Sequence, residues 1–175
     1  MARPDGGGHF LKYRKEDFIM SQTNSVPSPE NRQSLADGLS RALADSYTLY
    51  LKTQNFHWNV EGANFQALHN MFEEQYKDLA EAVDDIAERI RTLGHYAPAS
   101  YSDFAKLASV KEQTGHPKAM DMVRELAEDQ ETLGGTLRTV IQTARDADDP
   151  ATEDLMIGRL DVHEKNAWML RAHLA

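Results

Sequence analysis

Apolar residues recur every three or four positions along most of the chain, which is the spacing of one face of an α-helix. A first run begins at residue 34 and continues into Phe56-His57-Trp58. A second run is the most regular, because it alternates steps of three and four from Phe65 to Leu93 without a miss. Gly94 follows it as a natural helix stop. These patterns predict two long helices separated by the break at residues 59–63.

Two further helical runs follow a turn-rich stretch. One opens at Pro117 and continues through Met122 to Ile141, and the other opens at the cap and first-turn pair Asp149-Pro150 and ends near the C-terminus. The link between the second and third helices contains about 20 residues, with a short helix predicted at 102–107, and is long enough to cross a bundle end to end. No segment has a strand pattern.

The sequence therefore predicts an all-α protein, a four-helix bundle with a long crossover that carries a short helix. Residues 34–175 form this domain. Residues 1–33 have glycine, proline and scattered polar residues without sustained periodicity, so we expect an N-terminal arm or tail there.

The composition of the chain excludes several kinds of functional site. The chain has 175 residues, a net charge of −9 and no cysteine, which excludes disulfides, thiolate catalysis, iron–sulfur clusters and cysteine-ligated zinc. Any metal must therefore bind to imidazole and oxygen ligands. No apolar run reaches membrane-spanning length, so a cytoplasmic protein is the default expectation. An acidic surface suits cations better than nucleic acid.

The second helix carries the candidate ligands. His69 and Glu73 are four residues apart, as are Asp84 and Glu88, so each pair shares a helix face beside the apolar seam. His57 lies just before the break and can fold back near His69. An alternative is open at this point, since such side chains also occur as a satisfied or solvated helix edge.

The distance between the two pairs along the helix decides which of these residues can bind the same metal ion. His69 and Asp84 are separated by roughly 22 Å along the helix, so one metal ion cannot contact both. An antiparallel two-fold dimer would bring His57, His69 and Glu73 of one chain against the acidic pair of the other and repeat the site at the opposite end. Imidazole and carboxylate ligands suit Fe(II), Zn(II) or Mn(II).

A family resemblance sharpens this hypothesis. The segment Asn55-Phe56-His57-Trp58-Asn59-Val60-Glu61-Gly62, then Leu68-His69, Phe72-Glu73 and Asp84-Asp85-Ile86-Ala87-Glu88-Arg89, closely resembles the Dps proteins, which are ferritin-like mini-ferritins. The resemblance extends over about residues 31–175 and matches the intervals of the family's intersubunit ferroxidase site.

The resemblance implies a hollow dodecamer that binds two irons at each intersubunit site. It implies oxidation of Fe(II), preferentially by hydrogen peroxide, and storage of ferric mineral. Zn(II) and Mn(II) suit the same ligands and would be competitors. Asp84 and Glu88 would hold the tighter iron with His57 from another chain, whereas His69 and Glu73 would serve the second iron. Ordinary ferritins instead use Glu-x-x-His motifs inside one bundle, and no histidine here has that motif.

Other residues have weaker assignments. By resemblance, Trp58 and Trp168 would intercept stray oxidising equivalents, although both residues could simply pack. Asp149 and Asp154 would line iron-entry pores, although acids at a helix start also serve as caps and dipole partners.

The alternative function is nucleoid-associated DNA binding and protection. Family members that bind DNA commonly use mobile basic tails, and the arm offers Lys12, Arg14 and Lys15 for many weak phosphate contacts. Asp5, Glu16 and Asp17 in the same arm and the acidic bundle oppose this function. A structural bundle without metal is the third alternative.

Overall fold

Residues 27–175 are described by a computed structural model, and within this range the chain forms helices and no strand. The five helices are α1 (Pro29–Asn59), α2 (Phe65–Thr92), α3 (Tyr101–Leu107), α4 (Ala119–Asp146) and α5 (Pro150–Ala172). Four are long and one is short, which confirms the predicted all-α class. None of these helices is long and apolar enough to cross a membrane.

The helix starts follow local capping chemistry. The side chain of Ser28 accepts a hydrogen bond from the Asn31 amide at 3.2 Å, and Pro29 occupies the first turn, so α1 begins five residues before the predicted start at 34. Residues 29–33 are thus helical and do not belong to an arm. The rest of the predicted arm, up to residue 26, lies outside the described residues.

Side-chain contacts establish the direction of each helix. Lys52 contacts Asp129, and Asp45, two turns earlier on α1, contacts Thr136, two turns later on α4. Hence α1 and α4 are antiparallel, as are α1 and α2 across their five-residue turn. Since α2 and α4 both oppose α1, they run in the same direction, and residues 93–118 must cross the length of the bundle. This confirms the predicted crossover.

One buried carboxylate fastens that crossover to the bundle. Asp45 is fully buried, and its Oδ1 accepts hydrogen bonds from the backbone amides of Ser109 and Val110 at 2.6 and 2.9 Å. Its Oδ2 accepts a hydrogen bond from the Thr136 hydroxyl at 2.7 Å. Three donors satisfy a charge that would otherwise be costly to bury. The segment after α3 is thereby held against α1 and α4.

Candidate metal centre

The turn between α1 and α2 brings His57 and His69 together. Their rings are stacked with centroids 3.8 Å apart and planes inclined by 19°. Gly62 makes the reversal possible, because its φ of 108° lies in the left-handed region that glycine adopts without strain. The predicted approach of His57 to His69 is confirmed.

Each histidine is oriented by the backbone of the other. Nδ1 of His57 lies 2.8 Å from the carbonyl oxygen of His69, and Nδ1 of His69 lies 2.8 Å from the carbonyl oxygen of His57. A carbonyl oxygen only accepts, so each Nδ1 must carry the proton and donate it. In the neutral ring, each Nε2 then carries the lone pair, which is the form of imidazole that binds metals.

Aromatic neighbours fix the two rings in place. Phe65 stacks on His69 with centroids 5.0 Å apart, and Tyr76 meets His57 edge-on at 5.2 Å. His57 is only 8% exposed. The sequence analysis did not assign Tyr76 to the site, although its position seven residues after His69 places it on the same face of α2.

Glu73 lies one turn beyond His69 and is paired with Lys77. Its Oε1 lies 2.5 Å from the ammonium nitrogen of Lys77. The hydrogen bond and charge of Lys77 lower the pKa of Glu73. The carboxylate is therefore ionised at neutral pH. Sequence reasoning missed Lys77, although a glutamate four residues before a lysine predicts this pair.

Asp84 and Glu88 lie on exposed positions of the same helix. The α2 ion pairs within residues 27–175 join Glu73 to Lys77, Asp78 to Arg159 and Arg89 to Asp149. Asp84 and Glu88 take part in none of these pairs. Both carboxylates are thus exposed to solvent on the face of α2 that bears them.

The histidine and acidic pairs remain separate within one chain. The helical rise puts roughly 22 Å between His69 and Asp84, as α2 is a continuous helix between them. In the described part of the chain, no three side chains of His, Asp or Glu come together as ligands for one metal ion. One subunit therefore presents two incomplete ligand sets.

Comparison with known proteins gives the family. A ferritin-like domain model matches residues 36–175. A low temperature-induced protein of Nostoc is 41% identical over 89% of this chain and 88% of its own length, and a DNA protection during starvation protein of Brevibacillus brevis is 39% identical over 82% and 96%. The chain belongs to the Dps family. A Dps crystal structure from Vibrio cholerae superposes with a TM-score of 0.82 at 32% identity, covering 89% of this chain and all of that one.

Membership of the Dps family supports iron storage or DNA protection in general. The Vibrio cholerae protein is described as one of a broad superfamily of ferritin-like diiron-carboxylate proteins, which supports ferroxidase-type chemistry in general terms. Carboxylate and imidazole side chains are the ligands that the two incomplete sets of this Dps chain supply.

The two tryptophans are both exposed in this Dps subunit. Trp58 is 64% exposed beside His57, and Trp168 is 67% exposed on α5. Neither side chain packs in the core of the subunit. Their predicted role with oxidising equivalents stays a prediction.

The two predicted pore acids differ in their surroundings. Asp149 is 4% exposed, caps α5 through Thr152, and receives two hydrogen bonds of 2.7 Å from Arg89. It serves as the helix cap that the sequence analysis gave as the alternative, and both of its oxygens are occupied. Asp154 is exposed. Lys12, Arg14 and Lys15 lie outside the described residues.

Proposed function

We propose that this Dps protein oxidises Fe(II), preferentially with hydrogen peroxide, at di-iron sites shared between subunits. The ferric product is stored as mineral inside a hollow dodecamer. Iron is the substrate and cargo of this reaction, with Zn(II) and Mn(II) as competitors for the same ligands.

One observation carries the proposal: a single chain holds two incomplete ligand sets roughly 22 Å apart on one helix. An antiparallel two-fold dimer places the histidine set of one chain against the acidic set of the other. Two complete sites then form at once, because the symmetry repeats the contact.

The residues divide between two irons. Asp84 and Glu88 of one chain, with Nε2 of His57 from the other, supply two carboxylates and an imidazole for the tighter iron. His69 and Glu73 serve the second iron. The reciprocal hydrogen bonds of the histidines keep both Nε2 atoms ready to bind without a change of tautomer.

Pairing two irons controls the redox chemistry. Two Fe(II) ions give two electrons to one peroxide, and with two protons the products are two Fe(III) and two water molecules. A single Fe(II) gives one electron and yields hydroxide and hydroxyl radical. A shared site that fills with two irons therefore consumes peroxide without releasing the radical.

The surface near the histidines supports a subunit contact. Leu51, Trp58 and Phe65 are 41%, 64% and 42% exposed, so the α1–α2 hairpin presents large apolar side chains to solvent. Leu51, Trp58 and Tyr101 line one cavity of about 530 Å³. Apolar surface of this kind is typical of an interface with another subunit.

Removal of the acidic pair tests the site. The double variant Asp84→Ala/Glu88→Ala should lose rapid peroxide-driven iron oxidation, followed by ferric absorbance, and keep its oligomeric size. The matched control is Glu81→Ala/Asp85→Ala, which removes two exposed acids at the same spacing on α2 and should keep the wild-type rate. Undiminished oxidation in the first variant would place the site elsewhere.

Mixed subunits test whether the site is shared. His57→Ala and Glu88→Ala subunits are each inactive by this proposal, but a hybrid dimer regains one intact site. Exchanged mixtures should recover part of the activity. No recovery under proven subunit exchange would contradict the shared site.

The names of relatives favour a second candidate, DNA protection. The residues that would contact DNA, Lys12, Arg14 and Lys15, lie outside the described part of the chain. Pore transport of iron by Asp154 likewise stays a prediction.

A further inference from the structure

A row of aromatic rings begins at the histidine set and continues along the α1–α2 hairpin. The Tyr76 ring lies 5.2 Å from the His57 ring, the Tyr50 ring 6.2 Å from Tyr76, the Tyr47 ring 5.7 Å from Tyr50, and the Tyr101 ring 6.2 Å from Tyr47, all between centroids. Every step lies within the range of direct aromatic contact. We call Tyr76, Tyr50, Tyr47 and Tyr101 the tyrosine row.

The tyrosine row is half-buried along most of its length and exposed at one end. Tyr76, Tyr50 and Tyr47 are half-buried, and Tyr101 is 70% exposed. Burial raises the pKa of Tyr47, and Tyr101 and Tyr50 raise it further. Tyr47 is therefore a neutral phenol at neutral pH, and its oxidation must release a proton together with the electron.

The far end of the row approaches the acidic set of the same chain. Tyr47 and Tyr101 line a cavity of about 270 Å³ together with Val83 and Ala87. These two α2 residues directly precede Asp84 and Glu88 in the sequence. Tyr47 and His57 are ten positions apart on α1, which corresponds to roughly 15 Å along the helix. The row thus connects the two ends of α2 that would serve two different iron sites of a dimer.

We propose that the tyrosine row carries an electron from Fe(II) held at Asp84 and Glu88 to peroxide reacting at the histidine set of the same chain. This inference rests on the proposed iron oxidation. It adds that the two sites of a dimer act on one peroxide when each site holds only one Fe(II).

The electrons and protons balance in two half-steps. At the histidine end, one Fe(II), one peroxide, one proton and the phenol of Tyr76 give Fe(III), two water molecules and the Tyr76 phenoxyl radical. Each tyrosine then gives an electron and a proton to the phenoxyl radical of its neighbour and becomes the radical itself. At the acidic end, the last radical takes an electron from Fe(II) and a proton from solvent, which regenerates the phenol and leaves Fe(III).

Iron loading at one Fe(II) per site isolates this path. Anaerobic wild-type protein loaded to that level and mixed with peroxide should show a transient tyrosyl radical by electron paramagnetic resonance. It should oxidise two irons per peroxide and give little trapped hydroxyl radical. The Tyr47→Phe and Tyr50→Phe variants keep the ring but cannot form a phenoxyl radical at the substituted position, so the radical formed at Tyr76 cannot reach the acidic end and the two-to-one stoichiometry should be lost.

Tyr96→Phe is the matched control, because Tyr96 is 89% exposed and lies outside the row. It should behave as wild type. As a second readout on unaltered protein, mass spectrometry after repeated peroxide pulses should find oxidised or cross-linked Tyr101.

The outcomes separate the two proposals. If fully loaded wild-type protein oxidises two irons per peroxide but the Tyr47→Phe variant matches wild type at one Fe(II) per site, the row is overturned and the ferroxidase survives. If fully loaded wild-type protein does not oxidise iron rapidly, both proposals are overturned. In Tyr47→Phe the radical formed at Tyr76 cannot pass beyond Tyr50, so its tyrosyl signal should decay more slowly than in wild type; a signal with the wild-type decay also contradicts the row.

Discussion

Two histidine environments in this protein have opposite chemistry. At the α1–α2 turn, His57 and His69 use Nδ1 for their hydrogen bonds, and no residue of 27–175 is hydrogen-bonded to either Nε2. Inside the bundle, His163 is 1% exposed, its Nδ1 lies 2.5 Å from the side-chain oxygen of Gln130, and its Nε2 lies 3.4 Å from a guanidinium nitrogen of Arg159. Both ring nitrogens of His163 are therefore occupied.

The comparison shows that hydrogen-bond partners decide what a histidine can bind. The turn gives its histidines backbone carbonyls, which accept a proton at one nitrogen and leave the other with its lone pair. The interior instead puts Arg159, itself paired with Asp78, beside His163. A cation at this position opposes a second positive charge, whether it is a proton or a metal ion.

Replacing one histidine from each environment gives the largest expected contrast. His57→Ala should weaken anaerobic Fe(II) binding at least about tenfold, because even outer partners of metal ligands contribute that much. His163→Asn should leave binding unchanged. Titration calorimetry on assembled protein measures both. Equal weakening by the two variants would show that the contrast in free nitrogens does not control metal binding.

Only part of the difference between the two histidine environments could be predicted from the sequence. The helical periodicity and the short break at 59–63 predicted that His57 would approach His69, and the seam residues predicted the bundle. The reciprocal hydrogen bonds could not be predicted, because they depend on how α1 and α2 cross at the turn. His163 was equally hidden, since its partners lie on α4 and one turn earlier on α5, and no spacing rule links Gln130 to position 163.

The helix caps also show that local signals could be predicted from the sequence, whereas contacts between helices could not. Asp149 was recognisable as a cap from Asp149-Pro150, but its pairing with Arg89 joins residues on different helices and separated by 60 positions. The start of α1 was predicted five residues late, because Ser28 and Pro29 were interpreted as part of a proline-rich arm.

The buried histidine, His163, should also make the stability of the fold depend on pH. Burial, and after it the charge of Arg159, lowers the pKa of His163 from the ordinary value of 6.5 to about 3. Between these two values the unfolded chain binds a proton that the folded chain does not. Stability therefore falls as the pH drops from 6.5 toward 3, by up to about 1.4 kcal/mol per pH unit from this group alone.

His163→Asn removes this titration but keeps an N–H donor for Gln130. Its stability should depend less steeply on pH in that window, measured by urea unfolding at fixed protein concentration. The control His116→Asn alters an exposed histidine and should retain the wild-type slope. A variant slope equal to that of wild type would mean that His163 is protonated in the folded state as readily as in the unfolded chain.

The smallest expected effect concerns the ion pair beside the open histidines. In the absence of iron, Lys77 holds the carboxylate of Glu73, and the side chains are 63% and 38% exposed. Iron that binds at His69 and Glu73 must displace this ammonium group and then lie close to its charge. Lys77→Gln should therefore strengthen binding of the second Fe(II) about two- to fivefold, which is the range for an exposed pair, while the first Fe(II) binds as before. Lys106→Gln removes the same charge from α3, where Lys106 pairs with Asp103 and with no other acid of residues 27–175, and controls for net charge. Added salt should narrow the difference between Lys77→Gln and wild type, because exposed charges are screened. If both lysine variants strengthen iron binding equally, the cause is the more negative net charge of the protein. The ion pair between Lys77 and Glu73 would then not compete with iron.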